Sequence, residues 1–269
     1  MDAAAQSRKA QMQALFNTVA PTYDTVGPAG FAHFGRELVD IVGVDPGQRV
    51  LDIATGRGAV LLPAAERAGA SGEIVGIDLA ESMLEATSAE IARRGLSARV
   101  LQMDAEQIDF PDASFDRVFC GFGVMFLPSQ DEAVAGFRRV LKPGGRVGIS
   151  TWKVTQIEDL GIVLQSFGRS SSRAPGWITE VDRLSDLLQG AGFSNVQIVA
   201  SSTTLVYATL EDYWQTAMST GLRRDLTTLD EADTARVREA AAERLRDRLR
   251  PDGYHLTAVA LLAKGERAD

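Results

Sequence analysis

Apolar residues recur at helical spacing twice before residue 44: along residues 8–19, and along 29–42, where Phe31, Phe34, Leu38 and Ile41 form one stripe. The turn Pro21-Thr-Tyr-Asp-Thr-Val-Gly-Pro28 separates the two helices. After Asp45-Pro-Gly47 the pattern changes. Short apolar runs at 49–54, 73–78, 99–103, 116–122 and 146–152 alternate with helical stretches, as in a parallel sheet joined by crossover helices. Ser129-Gln-Asp-Glu132 reads as a capping box opening the fourth intervening helix, and Lys142-Pro-Gly-Gly145 closes it. Beyond Trp152 the alternation loosens. A helix over 179–189 ends at Gly190-Ala-Gly192, and strands at 196–200 and 255–263 bring the count to seven. Between those last strands, 210–221 and 230–250 are helical and have no place in the sheet.

The expectation is a doubly wound, seven-stranded, Rossmann-like α/β sheet with N-terminal helices and a helical cap insertion, its ligand in the crevice at the carboxyl ends of the strands. Residues 1–44 would form a helical lid, 45–152 the ligand-binding core, and 153–269 the rest of the sheet with a substrate cap over about 203–252. The 269 residues, 45% hydrophobic and 24% charged, suffice for a sizeable core. Twenty-eight basic against 36 acidic side chains give a net charge of −8, which disfavours nucleic acid and anionic membrane surfaces as partners. A single cysteine, Cys120, allows no internal disulfide, and the first fifteen residues carry no secretory apolar run, so the expected compartment is the reducing cytoplasm. The longest apolar stretch, Val118 to Leu127, is ten residues, about half of a bilayer span. Over 230–250, Val237, Ala241, Leu245 and Leu249 share one helix face; Arg236, Arg238, Arg244, Arg246, Arg248 and Arg250 sit among Glu239, Glu243 and Asp247, as on a solvated, ion-paired face.

The sharpest chemical signal is Val50-Leu-Asp-Ile-Ala-Thr-Gly-Arg-Gly58, a strand running into a glycine turn that opens a helix. Gly56 and Gly58 permit positive φ and close approach of a ligand to backbone N–H groups, and Asp52 adds a carboxylate. Twenty residues after Gly58 the next strand ends in Asp78, placed to accept both hydroxyls of a ribose. A third strand ends in Leu101-Gln-Met-Asp104-Ala-Glu106, where Asp104 can accept from an exocyclic amino group. A dinucleotide would need a third glycine where Leu61 stands, so a nucleoside with an amino-acid tail fits better than NAD.

These motifs, with Pro111-Asp-Ala-Ser-Phe-Asp116 and Arg139-Val-Leu-Lys-Pro-Gly-Gly145, resemble in order those of the class I S-adenosylmethionine-dependent methyltransferases over residues 12 to 152. Phe16-Asn-Thr-Val-Ala-Pro-Thr-Tyr-Asp24 is similar to the amino-terminal segment of their ubiquinone/menaquinone-type C-methyltransferases. After strand four, however, Gly121-Phe-Gly-Val-Met-Phe-Leu-Pro128 replaces that subfamily's Gly-Leu-Arg-Asn-Val run, which argues against a respiratory quinone as substrate. Ala54 stands where the family motif has its first glycine. The resemblance implies S-adenosylmethionine as cofactor, S-adenosylhomocysteine as product, and a cofactor site of Tyr23, Asp52, Ala54, Thr55, Gly56, Gly58, Asp78, Leu79, Met83, Asp104, Ala105, Glu106 and Cys120.

Methyl transfer from a sulfonium needs mainly alignment and exclusion of water, and no metal is expected: His33 and His255 share no ligand spacing with acids. Tyr23 and His33 are the candidate catalytic side chains, Tyr23 as a lid residue and His33 one helical turn before Glu37. Phe122, Met125, Phe126, Trp152, Trp177 and Trp214 are candidates for an aromatic substrate pocket. The expected activity is methylation of carbon or oxygen on a small, largely apolar or aromatic metabolite, by a chain compatible with homo-oligomerisation. The residues leave open a cofactor binder that donates no methyl, such as a cyclase or regulatory module, and an NAD-dependent oxidoreductase.

Overall fold

The computed structural model describes residues 3–169 and 177–268. Two helices come first, α1 (Ala3–Val19) and α2 (Gly30–Val42). The alternating part follows as β1 (Arg49–Ile53), α3 (Leu61–Ala68), β2 (Glu73–Asp78), α4 (Glu81–Arg94), β3 (Ala98–Gln102), β4 (Phe115–Gly121), α5 (Gln130–Val140) and β5 (Leu141–Val154). The remainder is α6 (Glu158–Ser166), α7 (Val181–Gly190), β6 (Phe193–Tyr207), α8 (Leu210–Met218), α9 (Arg223–Leu226), α10 (Glu231–Arg244), β7 (Leu249–Arg250) and β8 (Gly253–Arg267).

The sheet order is β3-β2-β1-β4-β5-β8-β6. The first five strands are parallel, β8 runs antiparallel to β5, and β6 is antiparallel to β8. This is the expected doubly wound sheet of seven strands, with two-residue β7 added beside the start of β8. The order reverses between β1 and β4, so the crevice there opens at the carboxyl ends of both.

Side chains alternate between two cores, as period-two strands buried on both faces require. Val50, Ile74, Phe119 and Leu262 face α2, α3, α6, α8 and α10. Leu51, Val75, Val118 and Ile149 face α5 and α7. Of the expected α2 stripe, Phe34 and Leu38 are buried and Phe31 and Ile41 half-buried, with Val39 and Val42 completing the buried face.

Three details differ from the sequence reading. β6 runs on to Tyr207, into the stretch assigned to the cap, because thirteen residues from Phe193 to Tyr207 find partners on β8 although Ser201 to Thr204 are polar. It is an edge strand, so its outward side chains meet solvent and need not be apolar. Ser129 caps α5 without a side-chain bond, its backbone N–H being drawn to Glu106 Oε1 instead. A capping box does form at Thr209 and Asp212, where α8 begins. As expected, the arginines around α10 are ion-paired, Arg236 with Asp233, Arg238 with Glu211, Arg246 with Glu243, and both Arg244 and Arg248 with Asp159, whereas Arg250 donates to the backbone carbonyls of Asp247 and Leu249. Among the described residues, no helix is long and apolar enough to cross a membrane.

The seat of α2 against the glycine turn is made by Gly35, where a Cβ would lie 2.2 Å from the Ala59 carbonyl oxygen. Gly35→Ala is expected to lower unfolding stability by about 1–3 kcal/mol. Gly190→Ala, where a Cβ meets nothing within 4 Å, is expected to be neutral or stabilising by under about 1 kcal/mol. Denaturant titration of the two variants checks this, and equal effects would contradict it.

Candidate functional site

Parallel strands leave their loops, and unpaired backbone groups, at one edge of the sheet. After β1 the chain turns through Ala54, Gly56 and Gly58, all at positive φ (54°, 51° and 80°). Glycine takes that conformation freely, whereas for Ala54 it costs roughly 1–2 kcal/mol. The Ala54 methyl packs where only Gly123 fits opposite, since a Cβ there would come within 2.5 Å of it.

Asp78 fixes this turn to the next loop. Its Oδ2 accepts the Gly56 N–H at 2.9 Å, and its Oδ1 accepts the Ala80 N–H at 2.9 Å. Burial raises the Asp78 pKa, against the lowering pull of backbone N–H groups of Ala80, Gly56 and Leu79. Below the turn, Asp52 is buried, with Oδ2 accepting the Thr55 hydroxyl at 2.6 Å and Oδ1 finding no hydrogen-bond partner among the described residues. Burial pushes its pKa up to about 7 despite the Thr55 hydroxyl and the Leu61 N–H.

At the end of β3, Asp104 Oδ1 caps the Glu106 N–H at 2.9 Å, and its Oδ2 accepts from the Lys9 ammonium at 2.6 Å. Lys9 also pairs with Glu106, so one cation from α1 bridges both acids. Burial opposes that charge, but hydrogen bonds to the two carboxylates outweigh it and raise the lysine pKa. Further ties hold α1 over the edge: Gln13 Nε2 donates to the Leu79 carbonyl at 2.9 Å, Asn17 Oδ1 accepts the Ser82 N–H at 3.0 Å, and Arg57 donates to the Ala20 carbonyl at 2.7 Å. Asn17 thereby caps α4, whose own N-cap, Ala80, has no side-chain acceptor.

Two neighbouring cavities result. The first, about 110 Å³, is lined by Lys9, Gln13 and the strand-end loops, including Ala54, Gly56, Asp78, Leu79, Met83, Asp104 and Ala105. The second, about 370 Å³, is lined by Phe31, Trp152, Trp177, Gln156 and the loop before α9. Met12, Phe16, Tyr23, Phe122 and Phe126 line both and form the wall between them. Phe122 sits at φ 56°, held there by its N–H bond to the Ser150 carbonyl at 3.1 Å, and stacks on Trp152 at 4.2 Å between ring centroids. Tyr23 stacks on Phe31 at 4.9 Å, and burial, then the charges of Asp24 and Asp78, hold its phenol well above the ordinary value.

The remaining sequence candidates lie outside both linings. Thr55 serves Asp52, and Gly58 packs against Leu62 and Thr87. Glu106 stands behind Asp104 with Lys9. Cys120 is fully buried, its thiol pKa pushed up by burial. Met125 belongs to the core, and Trp214 packs under Arg238, whose guanidinium is 4.3 Å from its ring centre. His33 is on the surface beside Glu37, at 3.4 Å, and His255 beside Asp252, at 2.8 Å. The sequence reading did not nominate Lys9, Met12, Gln13 or Phe31. Met12, Leu15 and Phe16 do recur at helical spacing in α1, the one local signal that this helix covers something apolar.

Residues 50–145 match a family model described as a methyltransferase domain. The aklanonic acid methyltransferase of Streptomyces sp. strain C5 is 42% identical over 146 residues, which are 54% of this chain and 66% of that enzyme. The match thus spans just under two thirds of that relative's length. A ubiquinone/menaquinone biosynthesis C-methyltransferase of Ectopseudomonas oleovorans is 38% identical over 148 residues, 52% of this chain and 87% of the relative. Among solved structures, the [4+2]-cyclase SpnF aligns with a TM-score of 0.58 and 20% identity over 98% of this chain and 97% of its own, a likeness of fold alone.

Asp52 gives this site a pH signature. Its folded pKa of about 7 lies above the ordinary 3.8, so its contribution to stability is fully present below 3.8 and is lost as pH rises to 7. Wild-type stability is therefore expected to fall as pH rises from 5 to 7, by up to about 1.4 kcal/mol per unit from this group, and the fall is expected to shrink in Asp52→Asn. Thermal unfolding across that range checks it, and identical slopes in both proteins would contradict it.

Proposed function

The chain belongs to the class I S-adenosylmethionine-dependent methyltransferases, and from that membership we propose that it transfers a methyl group from S-adenosylmethionine to a carbon or oxygen of a small, largely apolar or aromatic metabolite. S-adenosylhomocysteine is the second product. The observation that carries the proposal is the pair of cavities with a common aromatic wall, one rimmed by the strand-end acids and the other apolar.

The residues of the smaller cavity suit such a cofactor. Gly56 lines it at a point where a Cβ would meet nothing within 4 Å, which leaves room for a ligand against the turn. Asp78 keeps lone pairs for ribose hydroxyls beyond the two N–H bonds it accepts, and Asp104 and Ala105 stand where adenine would lie. Asp52 lies beneath the turn, outside the lining, and a cationic amino-acid end bound above it would favour its ionised form. The bound sulfonium supplies an already activated methyl. At about 110 Å³ the cavity is below the roughly 300 Å³ at which small-ligand sites begin, so the proposal includes an outward shift of α1 on cofactor entry.

The protein's part is then alignment and exclusion of water, which in well-oriented systems is worth up to about 7–11 kcal/mol of barrier. Tyr23, Phe122 and Phe126 surround the transfer path and offer ring faces to a sulfonium. With its phenol protonated at neutral pH, Tyr23 enters as a wall and hydrogen-bond donor, and no proton is routed through it. His33, at the surface beside Glu37, has no part in this path.

Isothermal titration with S-adenosylmethionine, S-adenosylhomocysteine and NADH, followed by labelled-methyl transfer to phenols, quinols and polyketide-like acceptors, tests the proposal. The expected result is micromolar binding of the first two, none of NADH, and label in an acceptor. Binding without label transfer to any acceptor would favour a non-methylating binder, and no binding would overturn the proposal. Asp78→Ala is expected to weaken cofactor affinity by about 10- to 150-fold, the loss of hydrogen bonds to a charged group. Unchanged affinity in the same titration would remove Asp78 from the cofactor site.

A further inference from the structure

Helix α1 is held over the smaller cavity unequally along its length. Its carboxyl-terminal half is anchored by packing and by uncharged hydrogen bonds: Val19 and Ala20 are buried with Ala80 and Met83, Leu15 and Phe16 pack against them, and Gln13 and Asn17 bond to Leu79 and Ser82 after β2. Over residues 3–11, by contrast, only Ala5 and Lys9 are not exposed. Among the described ties of that half, the strongest is the Lys9 ammonium, 2.6 Å from Asp104 Oδ2 and paired also with Glu106. The three side chains are mostly covered, at 12%, 19% and 7% exposure, so this contact is stronger than a solvated surface bridge.

The same contact stands where a ligand has to go. Lys9 and Asp104 both line the cavity, which at about 110 Å³ is too small for a nucleoside with an amino-acid tail. Asp104 Oδ1 already accepts the Glu106 N–H, and Oδ2 accepts from Lys9. Both oxygens of the carboxylate placed to receive adenine are thus engaged before a ligand arrives.

We infer that Lys9 is an autoinhibitory latch, which holds the amino-terminal half of α1 down across the smaller cavity by occupying Asp104 and Glu106, and which the adenine end of the cofactor displaces on entry. The inference rests on the reading of this cavity as the cofactor site. Opening exchanges a covered, charge-assisted contact for a hydrogen bond from an uncharged amino group, so the pair biases α1 towards the closed position. Affinity measured from solution is then reduced by the fraction of molecules that are open. The anchored half, from Gln13 to Ala20, serves as the hinge. Without the cation, Asp104 and Glu106 would remain as neighbouring carboxylates in a covered place, and an incoming amino group would be the donor that relieves them.

The test uses the full chain with S-adenosylhomocysteine, whose own ammonium and carboxylate cancel, with affinity read by calorimetry and association rate by stopped-flow fluorescence. Lys9→Met is expected to raise the association rate at least about fivefold and to tighten binding at least about threefold, as the open fraction grows. Lys9→Arg is expected to stay near the wild type. Glu106→Gln, which removes one of the two charges on the latch while its amide oxygen can still accept the Ser129 N–H, is expected to move both quantities the same way by less. Hydrogen exchange over residues 3–12 of the unliganded protein is expected to be faster in Lys9→Met than in the wild type. Equal rates and affinities in the wild type and Lys9→Met, or weaker binding by Lys9→Met, would overturn the inference, the latter showing that Lys9 stays in place beside the bound cofactor. Absence of binding in the wild type and in Lys9→Met alike would instead strike the cofactor assignment, and the inference with it.

Discussion

One carboxylate, that of Asp78, joins the two loops on which the site is built. By accepting the N–H groups of Gly56 and Ala80, it fixes the glycine turn after β1 against the start of α4 after β2. Both loops end parallel strands in register, Asp52 opposite Gly76 and Ile53 opposite Ile77, so the sheet brings them near and the carboxylate sets their separation. A half-buried carboxylate is tolerated there because backbone donors replace the water it has lost. The same group faces the smaller cavity, so the bond that holds the loops together also presents an acceptor to a ligand.

Around that pair, strain and covering elements shape the two cavities. Ala54 and Phe122 both occupy left-handed backbone conformations, at the turns after β1 and β4 respectively. Such residues persist only where their surroundings over-determine them. Here Gly123 yields space to the Ala54 methyl, and Ser150 fixes Phe122 through its carbonyl. Helix α1 then closes the edge with polar ties at Lys9, Gln13, Asn17 and Ala20 rather than a deep apolar seam; only Val19 of this helix is buried. Ties of that kind exchange readily with ligand contacts, which suits the outward shift of α1 that the proposed function includes.

What could be read in the sequence was whatever is local. The strand-turn-helix around Gly56, the acid at the end of β2 and the acid pair after β3 each occupy a few consecutive residues, and their order along the chain follows from the winding of the sheet. Lys9 meeting Asp104, 95 positions away, has no local signature. Nor does Asn17 capping α4 from another helix. Hydrophobic pattern indicates that a residue is covered and not by what: Phe126 and Trp177 face a cavity, whereas Met125 and Trp214 face the core. The length of β6 escaped for a related reason. Its polar residues from Ser201 to Thr204 are paired to β8 by backbone bonds, to which side-chain pattern is blind.

The central claim is that a methyl group crosses from one cavity to the other through the wall of Tyr23, Phe122 and Phe126. Its most direct test is a filtered nuclear Overhauser experiment on the protein bound to S-adenosylmethionine carrying a ¹³C-labelled methyl. The account predicts contacts from that methyl to the ring protons of Tyr23 and of Phe122 or Phe126, identified through Tyr23→Leu and Phe122→Leu variants. A bound methyl that contacts none of these rings would contradict it.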